Sequence, residues 1–381
     1  MNHRERVLTA LNHKEPDRVP IDLWGSASRI CNDLYFRIVE DLGLDGYGDY
    51  ERASRCSDYV DYRISDIIDA DFRHINIGKP KYFKKRTTNE GISFDEWGIG
   101  TKRNVHNKYP VVVYSPLVGA DIDDIDKHKW PIPEDTGRIE GIKEKVENWA
   151  HNTDYSITAT PAVSGLAFDI CLFLRGFENF LIDLYSNPKF AEKLIQKVTD
   201  IITKINVYYL KPIGKYLDWI EFTSDYGMQD RPFLSSEKFR QFFLKPNKEL
   251  FETVKKLAPN AKIFLHSCGS VKELIPDFIE MGVNILNSLQ PRARDMNSFE
   301  LKKEFGKDLI FHGGVDIQGG IIGSLEEAIE ESKTRIKAFA PGGGYIFGPS
   351  NHFLEDTPTE NFFVIYKIAR KFGKYPIRIN C

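Results

Sequence analysis

The chain has 381 residues, with 52 Lys and Arg against 55 Asp and Glu, and a formal net charge of −3. This near balance excludes the basic surface that a nucleic-acid or anionic-membrane partner requires, and the length suits one large α/β domain. The five cysteines, Cys31, Cys56, Cys171, Cys268 and Cys381, are odd in number and widely spaced, which does not make a disulfide framework.

Met1-Asn2-His3-Arg4-Glu5-Arg6 leads into an amphipathic helix with no apolar leader core, and no apolar run approaches a membrane span, so a cytoplasmic protein is expected. Strands are predicted at residues 19–23, 74–77, 156–162, 219–223, 262–265, 285–289, 309–312 and 345–347. Helical periodicity falls between most of them, at 32–42, 141–150, 178–209, 237–257, 271–281 and 325–339. Pro188, directly after Asn187, suits a helix start. The alternation predicts one α/β domain over residues 1–381, a single (β/α)₈ TIM barrel of eight parallel strands. Residues of about 80–133 interrupt it. They are rich in Tyr, Lys, Asp and Pro and read as an insertion with small hairpins near the barrel mouth. The cluster Lys79, Lys81, Lys84, Lys85 and Arg86 reads as a solvated loop face, and Gly342-Gly343-Gly344, which precedes a strand rather than a helix, as a tight turn.

In such a barrel the chemistry sits at the C-terminal strand ends. Those ends carry Asp22-Leu23-Trp24, Ser224-Asp225-Tyr226, His266-Ser267-Cys268, Asn287-Ser288-Leu289-Gln290, His312 to Asp316, and Asn351-His352. His266 and Cys268 stand two apart at the end of an apolar strand, so they project to one face as a nitrogen and a sulfur donor. That pair suits zinc; a core histidine beside a buried cysteine is the other reading of the same spacing. A lone Asp or Gln at a strand end also caps the following helix. Trp24 and Tyr226 stand where a planar ligand would stack.

These residues carry a family resemblance. Arg4-Glu5-Arg6-Val7 with Pro16-Asp17-Arg18-Val19-Pro20, Arg175-Gly176-Phe177-Glu178, Ser224-Asp225-Tyr226-Gly227, His266-Ser267-Cys268-Gly269-Ser270, Leu289-Gln290-Pro291, Phe311 to Asp316, Gly342 to Ile346 and Thr357-Pro358-Thr359-Glu360-Asn361 together resemble the uroporphyrinogen decarboxylase superfamily, in its cobalamin-dependent methyltransferase branch. The resemblance implies a (β/α)₈ barrel and one of two chemistries. Decarboxylases of this kind hold their substrate's carboxylates with clustered arginines near the N-terminus. The corresponding residues 21–29 carry one arginine, Arg29, and an acid, Asp22. The methyltransferase branch implies a zinc held by His266, Cys268 and a third residue near the last strand, where His352 is the nearest donor. It also implies a corrinoid carried by a separate protein, since no Asp-x-His-x-x-Gly motif occurs in this chain. On that reading Asp225 and Gln290 orient the nucleophile, and Trp24, Tyr226 and Asp316 contact the small-molecule methyl donor or acceptor. Uroporphyrinogen decarboxylation and a non-catalytic small-molecule-binding barrel are the alternatives.

Overall fold

Short apolar runs flanked by turn residues become the strands of a parallel sheet here. The computed structural model describes residues 1–25, 27–45, 60–103 and 110–379; Cys56 and Cys381 lie outside them. In chain order the strands are β1 (Phe72–Ile75), β2 (Arg86–Thr87), β3 (Ile92–Phe94), β4 (Gly100–Lys102), β5 (Val111–Tyr114), β6 (Ser156–Ala159), β7 (Trp219–Thr223), β8 (Lys262–His266), β9 (Ile285–Asn287), β10 (Ile310–His312) and β11 (Tyr345–Ile346). Strands β1, β6, β7, β8, β9, β10 and β11 pair in that order, all parallel, into one sheet. Strands β2 to β5 form a separate antiparallel sheet within the expected insertion. Arg175 ties the end of that insertion to the helix Ala167–Arg175 by donating to the carbonyls of Leu117 and Ala120.

The seven-stranded sheet curls. Inward side chains Phe72, Trp219, Phe264, Ile285, Ile310 and Ile346 form one apolar layer, closed from below by Val7 and Leu11 of the helix His3–Leu11. The Trp219 ring on β7 lies 5.8 Å from His312 on β10, a contact that a flat sheet does not make. Two residues further along the strands the inward positions turn polar: His74 after Phe72, Glu221 after Trp219, His266 after Phe264, Asn287 after Ile285, His312 after Ile310. The period-2 geometry of a strand makes this a second layer stacked on the first.

The expected strand at residues 19–23 is not a strand of this sheet. Ile21 makes a single parallel bridge to Phe347, and its carbonyl accepts from Asp71 N just before β1 at 2.9 Å. Pro20 cannot donate to a ladder, which limits the pairing. The expected helix 178–209 divides into Phe177–Ser186 and Pro188–Leu210, with Pro188 at the first turn of the second. The expected helix 237–257 contains a π-helical turn at Arg240–Leu244. Pro246 lies two residues beyond and lacks the N–H an α-helical turn would use there. Among the described residues no helix is long and apolar enough to cross a membrane, and Cys31, Cys171 and Cys268 are free thiols.

The N-terminal arginine motifs are structural. Asp71 is fully buried and accepts from Arg6 Nη1 (2.7 Å), Arg18 Nη1 (2.8 Å) and the Ile21 amide (2.7 Å). Arg6 also forks onto Asp17. Burial alone would raise the Asp71 carboxyl, but His3, Arg18 and Arg6 hold it below the ordinary carboxylate range. A carboxyl lowered in the folded state gives stability that is present above its unfolded pKa and is lost as pH falls. Asp71→Ala, which leaves Arg6 and Arg18 facing an empty site, is expected to cost about 3–5 kcal/mol in denaturant unfolding. Its stability should also fall less steeply than the wild type's below about pH 5.

Candidate metal centre

Strand β8 is held on both sides by parallel neighbours whose register is fixed: Thr223 of β7 and Asn287 of β9 both stand opposite His266. The ladder runs one residue further, with Ser224 N donating to His266 O and Ser267 N to Asn287 O. Gly269 then turns the chain at φ +82°, against Gly227 of the loop after β7. A Cβ on Gly269 would lie 2.4 Å from the Met228 carbonyl oxygen, and one on Gly227 would lie 2.5 Å from the Cys268 carbonyl oxygen. Only two glycines let these backbones pass so closely. Their contact brings Asp225 from one loop onto Cys268 of the other, where Asp225 Oδ1 accepts from the Cys268 amide at 2.8 Å.

Three donors converge there. His266 Nε2 lies 3.2 Å from Cys268 Sγ and 3.8 Å from Asp225 Oδ1, and donor atoms of all three residues lie within 4.8 Å of one another. His266 is buried, Cys268 half-buried and Asp225 exposed, so the cluster opens on the Asp225 side. The far nitrogen, His266 Nδ1, bonds to Asn287 Oδ1. Asn351 Nδ2 donates to Cys268 Sγ at 3.2 Å, and Gln290 Oε1 accepts from the Gly269 amide at 2.5 Å. Burial pushes the His266 imidazole down, but the Cys268 sulfur and Asp225 overcome it and lift the pKa to about 10. Imidazole, thiolate and carboxylate around one opening are a donor set that fits a borderline-soft divalent metal, which would take the place of the proton on Nε2.

The geometry redistributes the expected roles. His352 is not in the donor cluster: its Nδ1 accepts from the Arg29 amide at 3.3 Å, and burial, with Arg29 and His266 adding, drives its pKa down to about 3. The preceding residue, Asn351, is the one that reaches the sulfur. Asp225, expected to orient a nucleophile, stands instead as the third donor, and Gln290 braces the Gly269 turn. Tyr226 is a core residue, fully buried, with its ring 5.1 Å from Phe168 and 5.0 Å from Phe239 and its hydroxyl accepting from Asn247. Trp24 is likewise fully buried, so its ring offers no open stacking face. Asp316 pairs with Arg292 at 2.7 Å and accepts from the amides of Gln318 and Gly320, a loop brace.

The sequence places Asn287 and Asn351 at strand ends without assigning either a role, and Asp169 is not named there. Asn287 carried a signal, a polar residue ending the apolar pair Ile285-Leu286. Asp169 lies on a helix remote in sequence. It accepts from Ser224 Oγ at 2.6 Å and from the Asp225 amide at 3.2 Å, and burial followed by the Asp225 charge raises its carboxyl to about 7.

A family model described as uroporphyrinogen decarboxylase (URO-D) matches residues 92–372. Uroporphyrinogen decarboxylase of Rickettsia massiliae (strain Mtu5) is 26% identical over 191 residues, 50% of this chain and 51% of the relative. That of Aliarcobacter butzleri (strain RM4018) is 24% identical over 193 residues, 50% and 51% of the two chains. The chain thus spans about half the length of the curated relatives it matches. A solved methyltransferase from Methanosarcina mazei superposes with a TM-score of 0.64 over 98% of this chain and 99% of its own, at 17% identity, which marks a shared fold.

The Gly227–Gly269 contact is testable. Gly269→Ala should lower the melting temperature more than Gly282→Ala. Both glycines have positive φ, but a Cβ on Gly282 meets nothing within 4 Å. The expected difference is on the order of 1–3 kcal/mol, and equal melting shifts would contradict the packing argument.

Proposed function

The chain belongs to the uroporphyrinogen decarboxylase family, and from that premise we propose that it is a zinc-dependent methyltransferase, moving a methyl group between a corrinoid protein and a small-molecule donor or acceptor. The observation that carries this reading is the convergence of His266 Nε2, Cys268 Sγ and Asp225 Oδ1 at one opening. In the same proposal residues 19–23 take the eighth stave of a (β/α)₈ barrel. The Ile21 bridge to Phe347 and its hydrogen bond with Asp71 support that position between β11 and β1.

Zinc bound there would lower the pKa of a substrate thiol or hydroxyl and present it as a nucleophile. His266, Cys268 and Asp225 would hold it. Asn287 keeps the imidazole proton on Nδ1, so the Nε2 lone pair faces the opening. The Asn351 amide donates to Cys268 Sγ and holds the sulfur beside His266 Nε2. Gln290 fixes the Gly269 turn and with it the position of Cys268. Asp225 lies on the exposed side, where a small molecule enters, and the corrinoid would arrive on its partner protein from that side.

The second reading, uroporphyrinogen decarboxylation, is favoured by the curated relatives. Against it, residues 21–29 bring a single arginine, Arg29, whose Nη2 is already engaged by Asn76. A substrate with many carboxylates needs more cationic partners than this. The two readings separate on purified protein reconstituted with zinc under reducing conditions. We expect about one zinc per chain, loss of most of it in Cys268→Ala with the fold retained, and no carbon dioxide released from uroporphyrinogen. A wild type that retains no zinc but decarboxylates uroporphyrinogen would reverse the assignment.

A further inference from the structure

The inward polar layer forms a continuous chain of hydrogen bonds that ends at the metal centre. Asp22 is fully buried. Its Oδ1 meets His74 Nε2 at 2.7 Å and its Oδ2 meets His312 Nε2 at 2.9 Å. His312 Nδ1 in turn lies 2.9 Å from Asn287 Nδ2, and Asn287 Oδ1 bonds to His266 Nδ1. His266 Nε2 then faces Cys268 Sγ.

The donor and acceptor inventory gives this chain a direction. A carboxylate only accepts, so the Nε2 atoms of His312 and His74 carry protons toward Asp22. An amide nitrogen only donates, so His312 Nδ1 is bare and accepts from Asn287. Asn287 Nδ2 also donates to the His312 carbonyl oxygen at 3.1 Å, which fixes the amide with its oxygen toward His266. That oxygen only accepts, so His266 keeps its proton on Nδ1. Reversing any link leaves two donors or two acceptors face to face among buried residues, at the cost of a buried unsatisfied group.

We propose that Asp22 is a positioning residue: through His312 and Asn287 it dictates which nitrogen of His266 faces Cys268. The proposal rests on the zinc reading above and deepens it, since the polarity of the chain presents the Nε2 lone pair to the opening, as a metal-bound imidazole requires. The charge of Asp22 is itself balanced inside the sheet. His74, whose Nδ1 lies 2.6 Å from Thr158 Oγ1 and 3.5 Å from Glu221 Oε1, is lifted to about 9 against its burial by Asp22 and Glu221. An imidazolium therefore sits against the carboxylate on the His74 side.

The test uses ¹⁵N-histidine NMR of the full-length protein together with zinc affinity measured by chelator competition. In metal-free wild type, His312 is expected in a single form, with its proton on Nε2 toward Asp22 and Nδ1 bare toward Asn287. Asn287→Ala should keep that tautomer, because Asp22 still holds it, yet weaken zinc about 10- to 100-fold. Asp22→Asn, whose amide offers both a donor and an acceptor, should mix the His312 tautomers and weaken zinc about 10-fold. Wild-type His312 protonated on Nδ1 would overturn the proposal. So would a folded Asp22→Asn variant with an unchanged tautomer and unchanged zinc affinity. If Asp22→Asn does not fold, the wild-type tautomer and the Asn287→Ala affinity decide. In a wild type that takes up no zinc the metal reading fails, while proton placement on His312 still decides the relay.

Discussion

An ionised carboxylate inside a parallel sheet is the constraint around which this molecule is organised. Asp22 has no contact with solvent, and a bare buried charge costs several kcal/mol. Its two oxygens must therefore find donors within the sheet. They find them on strands that are far apart in sheet order, His74 on β1 and His312 on β10. The same two bonds draw residues 19–23, β1 and β10 together and keep the interior from collapsing into an all-apolar core. The result is a stacked interior, an apolar floor below and a polar layer above, one strand repeat apart. His266 belongs to that polar layer, so the candidate metal centre is an outgrowth of the interior rather than a feature of loops alone.

Much of this was legible in the sequence because parallel strands buried on both faces read as continuous apolar runs. The runs at 219–223 and 262–265 lie within a residue of β7 and β8, and the helix at 325–339 was found in full, capped by Ser324 and Glu327. Residues 19–23 do not form the regular strand that their apolar pattern predicts, since that pattern does not reveal that a single bridge, Ile21 to Phe347 just past β11, is all they make. The helix Ala167–Arg175 was missed. Six of its nine residues are buried, so its sequence shows little of the polar face that marks a surface helix.

The candidate site divides along the same line. The two-residue spacing of His266 and Cys268 follows from strand geometry and was readable. The choice of third donor was not. Asp225 reaches Cys268 only because two glycines on different loops pack backbone to backbone, and no local pattern encodes that contact. Tyr226 was misplaced for a related reason: a strand-end aromatic can point into the mouth or back under the loop, and here the cage of Phe168, Phe239 and Phe278 holds it beneath. His352 and Asn351 differ by one position, and that single step decides which side chain meets the sulfur.

The family contains decarboxylases, and the shared fold by itself does not choose a chemistry. The proposed methyl transfer rests on the convergence of His266, Cys268 and Asp225 and on the hydrogen-bond chain that reaches His266 from Asp22. X-ray absorption at the zinc edge of the reconstituted protein tests this most directly. The account predicts one sulfur at about 2.3 Å with nitrogen and oxygen neighbours at about 2.0–2.2 Å, and loss of the sulfur shell in Cys268→Ser. A zinc bound through nitrogen and oxygen alone, with a spectrum unchanged by that substitution, would contradict it.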